Sequence, residues 1–216
     1  MGDDEAEQGP DEPDDLHREE IRRAYDELAG TYAEWRSADG RELELLESVL
    51  EPLSADARVL DAGCGQGRPV LSRIDERAAA VGLDFSRSQL RLAAGAVPDA
   101  GLVQGDLTEM PLRAGSVDAV VALHTLIHVP NAEQPAAIDE LARVLRPDGR
   151  LLVSDGPAAW AGRTPDWLGG GAAMAWEIAG AERTCGELRA AGFVVEETHE
   201  EAADEHWTFV VARLED

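Results

Sequence analysis

Three glycines at alternate positions, Gly63, Gly65 and Gly67, follow a short apolar run that carries an acid, Asp61. Residues 59–68 read VLDAGCGQGR, and residues 68–77 are compatible with a helix. A strand that enters a helix through glycines brings bare backbone N–H groups and a helix N-terminus to one point. A Cβ there would block either the turn or the close approach of a ligand. The rest of the chain can be read as strands, helices and covers built around that turn.

The alternation continues downstream. Strands are expected at 58–62, 79–84, 101–104, 117–123 and 150–155, with a turn at 146–149. Ser86 is placed to cap a helix carrying Leu90, Ala93 and Ala94. Asn131 with Gln134, and Thr184 with Glu187, have capping-box spacing before two further helices. Two last strands, 193–198 and 207–213, are joined by a short acidic loop that suits an antiparallel hairpin. Five strands separated by helices and then a hairpin predict a Rossmann-like, doubly wound α/β fold. Its sheet has seven strands, mostly parallel with an antiparallel last strand, and helices on both faces.

Upstream, Ile21, Tyr25, Leu28 and Tyr32 recur at helical spacing, so residues 17–35 read as an amphipathic helix broken near Gly30. A second helix follows Gly40, with Leu43, Leu46, Leu50 and Leu53 on one face. Residues 1–15 are acidic, hold two prolines and should be disordered. Residues 16–216 then form one domain, with 16–53 as N-terminal cap helices and 156–180, rich in glycine and tryptophan, as a substrate-cover insertion.

Polar residues fall where such sheets bind ligands, at the carboxyl ends of the strands. Asp61, Asp84, Asp106 and His124 end or follow strands one to four. The glycine spacing separates the cofactor classes. A dinucleotide turn is G-x-G-x-x-G, which would require glycine at residue 68, and that residue is Arg68. The chain has no lysine, so a P-loop nucleotide site is excluded.

At this point the chain resembles the class I S-adenosylmethionine-dependent methyltransferases. The subgroup is the one acting on small molecules, including ubiquinone- and menaquinone-biosynthesis enzymes. The resemblance rests on 59–68 with 81–86, 103–107, 117–130 and 141–155, in order and at family spacing. It implies that Gly63, Cys64, Gly65 and Gly67 carry the backbone past the methionine part of the cofactor. Asp61 would order that loop or meet the cofactor's amino group. Asp84 would hold the ribose hydroxyls, with Phe85 beside the adenine. Asp106 would accept from the adenine amino group while Leu107 offers its N–H. Leu123 and His124 would lie under the methionyl segment, and Tyr25 and Tyr32 would close over the cofactor. Arg68 and Pro69 depart from the usual small residues and could shift the start of the next helix.

A sulfonium methyl is already activated, so the implied reaction is in-line displacement onto a small-molecule acceptor. A base is needed only if the nucleophile must lose a proton. His124 and His128 are the candidates. Trp160, Trp167 and Trp176 are candidates for an aromatic cover over the substrate. No metal is expected. Competing readings are a non-catalytic S-adenosylmethionine-binding regulatory protein, a protein or nucleic-acid methyltransferase, and a nicotinamide-dependent oxidoreductase.

Charge narrows the partners. The 216 residues hold 44 acids against 19 basic residues, all arginine, for a net charge of −25. A nucleic-acid groove needs clustered Lys and Arg, so nucleic acid is not expected as a partner. A lysine-free acidic surface resembles proteins of salt-accumulating halophiles, where concentrated salt screens the repulsion. The two cysteines have no metal-ligand spacing, the start is acidic, and no apolar run reaches a membrane span. A cytoplasmic monomer or homodimer is expected.

Overall fold

The structure is a computed structural model that describes residues 18–36, 40–200 and 207–215. The expected acidic tail at 1–15, His17 and the tip of the last hairpin at 201–206 lie outside the described residues. Five parallel strands form the body of the main sheet. They are β1 (Arg58–Ala62), β2 (Ala79–Asp84), β3 (Gly101–Gln104), β4 (Val117–Ala122) and β5 (Leu145–Asp155). A small hairpin follows, β6 (Trp160–Thr164) and β7 (Met174–Ile178). The last two strands are β8 (Phe193–Glu200) and β9 (Thr208–Leu214).

The sheet order is β3-β2-β1-β4-β5-β9-β8, seven strands in all. β1 to β5 pair in parallel, and β9 runs antiparallel to both its neighbours. The expected mostly parallel sheet with an antiparallel last strand is therefore present. The order reverses between β1 and β4, and a crevice opens at the carboxyl ends of strands at such a point.

Two-residue periodicity sorts the central strands between two cores. Leu60, Ala62, Val120, Ala122, Leu151 and Val153 face α6 (Gln134–Val144) and α7 (Ala181–Ala190). Val59, Ala119, Val121 and Leu152 face α3 (Gly40–Leu50) and α4 (Val70–Asp75). Asp61 shares a face with Val59, which puts its carboxyl on the α3 side.

A third, smaller core belongs to the cap. Ile21, Ala24 and Leu28 of the N-terminal helical segment pack on Ala172 and Met174. Burying a side chain like Ile21 contributes about 1.5–3 kcal/mol. The expected broken helix is two helices, α1 (Arg18–Glu27) and α2 (Ala29–Trp35). The break falls at Leu28, whose ψ of 9° departs from the helical value, and Gly30 lies inside α2.

Several local expectations shift. Ser86 does cap α5 (Arg87–Ala96), accepting from the Gln89 N–H at 3.1 Å. Neither capping box forms. α6 starts at Gln134, whose amide donates to Leu126 and Val129 carbonyls at 3.2 Å. α7 starts three residues before Thr184, whose hydroxyl donates to the buried Asp155 at 2.5 Å. The helix after the glycines begins at Val70, past Pro69. The expected turn at 146–149 survives as an irregularity within β5, where pairing jumps from Val117–Leu145 to Ala119–Arg150. The stretch 156–180 contains a separate two-stranded sheet, β6–β7, beyond the cover that its composition suggests.

Candidate functional site

The loop after β1 is pinned to β2, because the N–H groups of Gly63 and Cys64 both donate to the Leu83 carbonyl, at 2.7 and 3.0 Å. Gly63, with φ of +87°, has no room for a side chain: a Cβ would overlap the Thr125 hydroxyl. Gly65, at φ of +52°, faces the crevice. Gly67 does not. It packs 3.1 Å from the Ala93 backbone, measured from an ideal Cβ, so it serves loop-to-α5 packing. The Cys64 thiol is buried, and burial followed by the charges of Asp61 and Asp84 pushes its pKa well up. A thiol in that state is inert.

Asp84 ends β2 and holds the loop from the other side. Its Oδ2 accepts from the Gly65 N–H and its Oδ1 from the Ser86 N–H, both at 2.8 Å. Burial nevertheless raises its pKa to about 6. An ionised carboxyl offers about four acceptor positions, so these two bonds leave capacity for a ligand diol. Beside it, Ser86 Oγ and the Ser88 N–H donate to Asp26 at 2.7 and 3.0 Å, tying α1 to the start of α5.

Asp61 is the anomaly. Its side chain is buried and its Oδ2 has no hydrogen-bond partner. Burial, then the charges of Asp84 and Glu42, push its pKa well above the carboxylate range, while Arg36 acts against them. Glu42, 1% exposed, accepts from Arg36 Nη2 at 2.6 and 2.8 Å. His124 Nε2 lies 3.5 Å from the same carboxylate. Burial opposes the charge on Glu42, but the contacts with His124 and Arg36 hold its pKa below the ordinary value. His124 has φ of +54°, donates its N–H to Ser154 Oγ at 2.7 Å, and packs its ring 4.4 Å from that of Trp207.

At the other end, Asp106 Oδ1 accepts from Arg18 at 3.0 Å and from the Thr108 N–H and hydroxyl at 2.9 and 2.7 Å. Arg18 also pairs with Glu133 at 3.1 Å, spanning from α1 to the far side of the crevice. Over the top, Tyr25 packs edge-on against Tyr32, with ring centres 5.2 Å apart, and lies 6.0 Å from Phe85. Tyr25 and His128 share a hydrogen bond of 2.8 Å. Burial raises the Tyr25 pKa well above its ordinary value and lowers that of His128 to about 4.

These groups line one cleft of about 910 Å³, counting the space at its mouth. That lies within the range of small-molecule sites. The cleft brings together Tyr25, Tyr32, Asp61, Gly63, Cys64, Gly65, Asp84, Phe85, Asp106, Leu107, Leu123, His124 and His128. Gly67, Trp160, Trp167 and Trp176 are not on its wall. Trp167 backs Tyr25 and Tyr32 at 5.6 and 5.5 Å, Trp176 lies behind His128 at 6.5 Å, and Trp160 is 54% exposed against Trp176. Arg18, Arg36 and Thr125 line the cleft without having been singled out from sequence. Among the described residues, no three His, Cys, Asp or Glu side chains group as a metal site. No helix among them is long and apolar enough to cross a membrane.

A family model described as a methyltransferase domain matches residues 60–153, which run from β1 through most of β5. The chain is 39% identical over 120 residues to a protein of Streptomyces halstedii named methyltransferase GfsG, covering 51% of this chain and 42% of that one. It is 37% identical over 98 residues to the demethylmenaquinone methyltransferase of Beutenbergia cavernae, covering 45% and 40%. Matches of this kind span about half the length of the curated relatives or less. Among solved structures, the [4+2]-cyclase SpnF aligns with a TM-score of 0.72 at 22% identity, over 94% of this chain and 98% of that one. The magnesium protoporphyrin IX methyltransferase of Synechocystis, with bound S-adenosylmethionine, aligns at 0.68 and 19%, over 95% and 100%. The fold is thus common to methyltransferases and to a cyclase, so function has to be argued from the cleft.

Proposed function

We propose that this chain is an S-adenosylmethionine-dependent methyltransferase acting on a small-molecule acceptor. The observation that carries the reading is the unpartnered, buried Oδ2 of Asp61 at the methionine end of a glycine-lined cleft. An acid held there without a donor is costly, and an ammonium group of a ligand relieves it. The match of residues 60–153 to a methyltransferase domain supports the same reading.

The residues fit that cofactor. Gly63 and Gly65 let the backbone approach it, Asp84 takes the ribose hydroxyls, and Asp106 and Leu107 face the adenine. When bound, S-adenosylmethionine supplies an activated sulfonium methyl for in-line transfer. The chain's part is alignment and exclusion of water, and positioning of this kind lowers barriers by up to about 7–11 kcal/mol in the best intramolecular cases. Tyr25, Tyr32 and the tryptophans behind them form the roof of the cleft.

His128 is a poor general base here, because burial keeps it neutral down to about pH 4 and its Nε2 is engaged with Tyr25. An acceptor that arrives ionised, or whose nucleophilic atom needs no proton removed, fits a cleft in which His128 is so weak a base. His124, 3.5 Å from Glu42, lines the same cleft.

The test is transfer of a labelled methyl from S-adenosylmethionine to a panel of quinol, phenol, amine and thiol acceptors. Label on at least one acceptor is expected, with the ionised members favoured. Cofactor binding with transfer to none would reduce the chain to a binding protein.

A further inference from the structure

Four of the five tryptophans follow one another in a row outside the cleft. Trp35 ends α2, Trp167 lies between β6 and β7, Trp176 is on β7 and Trp160 starts β6. In that order their ring centres are 6.3, 6.0 and 6.4 Å apart. The row is not a core. Trp35 and Trp160, at its two ends, are 57% and 54% exposed, and the two rings between them are half-buried. Trp160 rests on the backbone of Gly162, where a Cβ would overlap its ring.

The chain around the row departs from the rest of the molecule. Charged residues make up 29% of the sequence, yet residues 156–162 and 167–176 carry none. Large rings left in water forfeit hydrophobic stabilisation, and a contiguous exposed apolar patch marks a binding surface. What it binds follows from where the row joins the cleft. Tyr32, on the cleft wall, lies 6.1 Å from Trp35 and 5.5 Å from Trp167. Trp176 lies 6.5 Å from His128, which stands on the wall beside Tyr25. A surface continuous with the cleft at two points fits a molecule that is partly inside the cleft and partly outside it. A second copy of the chain would need no such continuity.

We propose that the acceptor carries a broad apolar ring system that lies along this row, while its reactive atom enters the cleft beside Tyr25 and His128. The inference rests on the methyltransferase reading and names the acceptor class within it. The row's ring contacts are edge-on and tilted, so it presents both ring faces and ring edges, the two surfaces through which aromatic groups attract one another. Trp35 and Trp160 are then binding residues at the two ends of the row and take no part in the chemistry.

The experiment uses 1-hydroxypyrene, a flat ring system with one hydroxyl, titrated into the full chain saturated with S-adenosylhomocysteine and followed by fluorescence anisotropy. Phenol, the same hydroxyl on a single ring, is the competitor. Wild type should bind 1-hydroxypyrene at least about 10-fold more tightly than phenol, because the larger ring system buries more apolar area. Trp160→Ala and Trp35→Ala should each weaken 1-hydroxypyrene by roughly 2- to 10-fold, and Trp160→Phe should restore part of the loss. Circular dichroism verifies folding; if Trp35→Ala does not fold, Trp160→Ala decides. Equal wild-type affinity for the two probes, or unchanged 1-hydroxypyrene affinity in the folded alanine variants, would overturn the proposal and leave the cofactor reading intact. Unchanged affinity with a lower sedimenting mass in Trp160→Ala would assign the row to a contact between two copies and overturn it as well. No binding of S-adenosylhomocysteine to wild type by calorimetry would overturn the cofactor reading itself.

Discussion

The Tyr25 hydroxyl and His128 Nε2 stand 2.8 Å apart, joining α1 of the cap to the short helical turn after β4. His128 is buried, Tyr25 is partly so, and both are neutral, which has a consequence for acid stability. The His128 pKa falls from 6.5 to about 4 on folding. Between those values the unfolded chain binds the proton and the native chain does not. The His128 contribution is thus complete above about pH 6.5 and is lost as pH falls toward 4, to an extent of about 3 kcal/mol. Asp84 has the opposite sign. Its pKa rises from 3.8 to about 6, so the native chain binds more protons and gains stability as pH falls from 6 toward 3.8. The two oppose each other in the wild type. Urea unfolding at pH 7 and pH 5 should show His128→Gln gaining, relative to wild type, on acidification, and Asp84→Asn losing. Parallel behaviour of all three proteins would contradict the burial argument.

Gly63→Ala should be severe. The new Cβ overlaps the Thr125 hydroxyl, and φ of +87° is strained for any side chain. Strain and overpacking of this kind cost about 1–3 kcal/mol each. The melting temperature should drop, and S-adenosylhomocysteine should no longer protect. Thr125→Ala in the same chain should recover part of the stability, because it removes the hydroxyl overlap but leaves the contact with the Thr125 Cβ at 2.7 Å and the backbone strain.

Trp160 and Trp167 should behave differently from each other. Trp160 is exposed, so Trp160→Ala should change stability by no more than about 0.5 kcal/mol. Trp167 packs on Tyr25, Tyr32, Trp35 and Trp176, so Trp167→Ala should cost about 3 kcal/mol. It should also weaken cofactor binding, because the roof tyrosines lose their backing. Denaturation and calorimetry on the two variants decide it; equal effects would mean that the aromatic stack has no order from rim to roof.

Salt should stabilise this chain. With 44 acids against 19 arginines, self-repulsion outweighs the half-exposed ion pairs that salt weakens. At 1 M salt the screening length is about 3 Å. The melting temperature should climb between 0.1 and 2 M potassium chloride. A flat or falling curve would remove the case for a surface adapted to concentrated salt.

The parts of the site that were legible in the sequence are those made by neighbours along the chain. Gly63, Asp61 and Asp84 sit at the ends of apolar strands, and strand ends in a doubly wound sheet converge. The illegible parts depend on tertiary partners. Thr184 and Gln134 look like members of capping boxes, yet their side chains find better partners in Asp155 and in the Leu126 and Val129 carbonyls. Arg36 and Glu42 read as ordinary surface charges of two helices. Their ion pair, with Glu42 almost fully buried, exists only in the fold. The β6–β7 hairpin was hidden because its five-residue strands are half-exposed and separated by glycines.

The most direct test of the whole account is calorimetric titration of the chain with S-adenosylhomocysteine in high salt, for wild type and Asp84→Asn. Two hydroxyl contacts to a charged acceptor predict that the variant binds at least about 100-fold more weakly. The account predicts wild-type affinity in the micromolar range or tighter, with a rise in melting temperature. No heat and no melting shift in the wild type would contradict it.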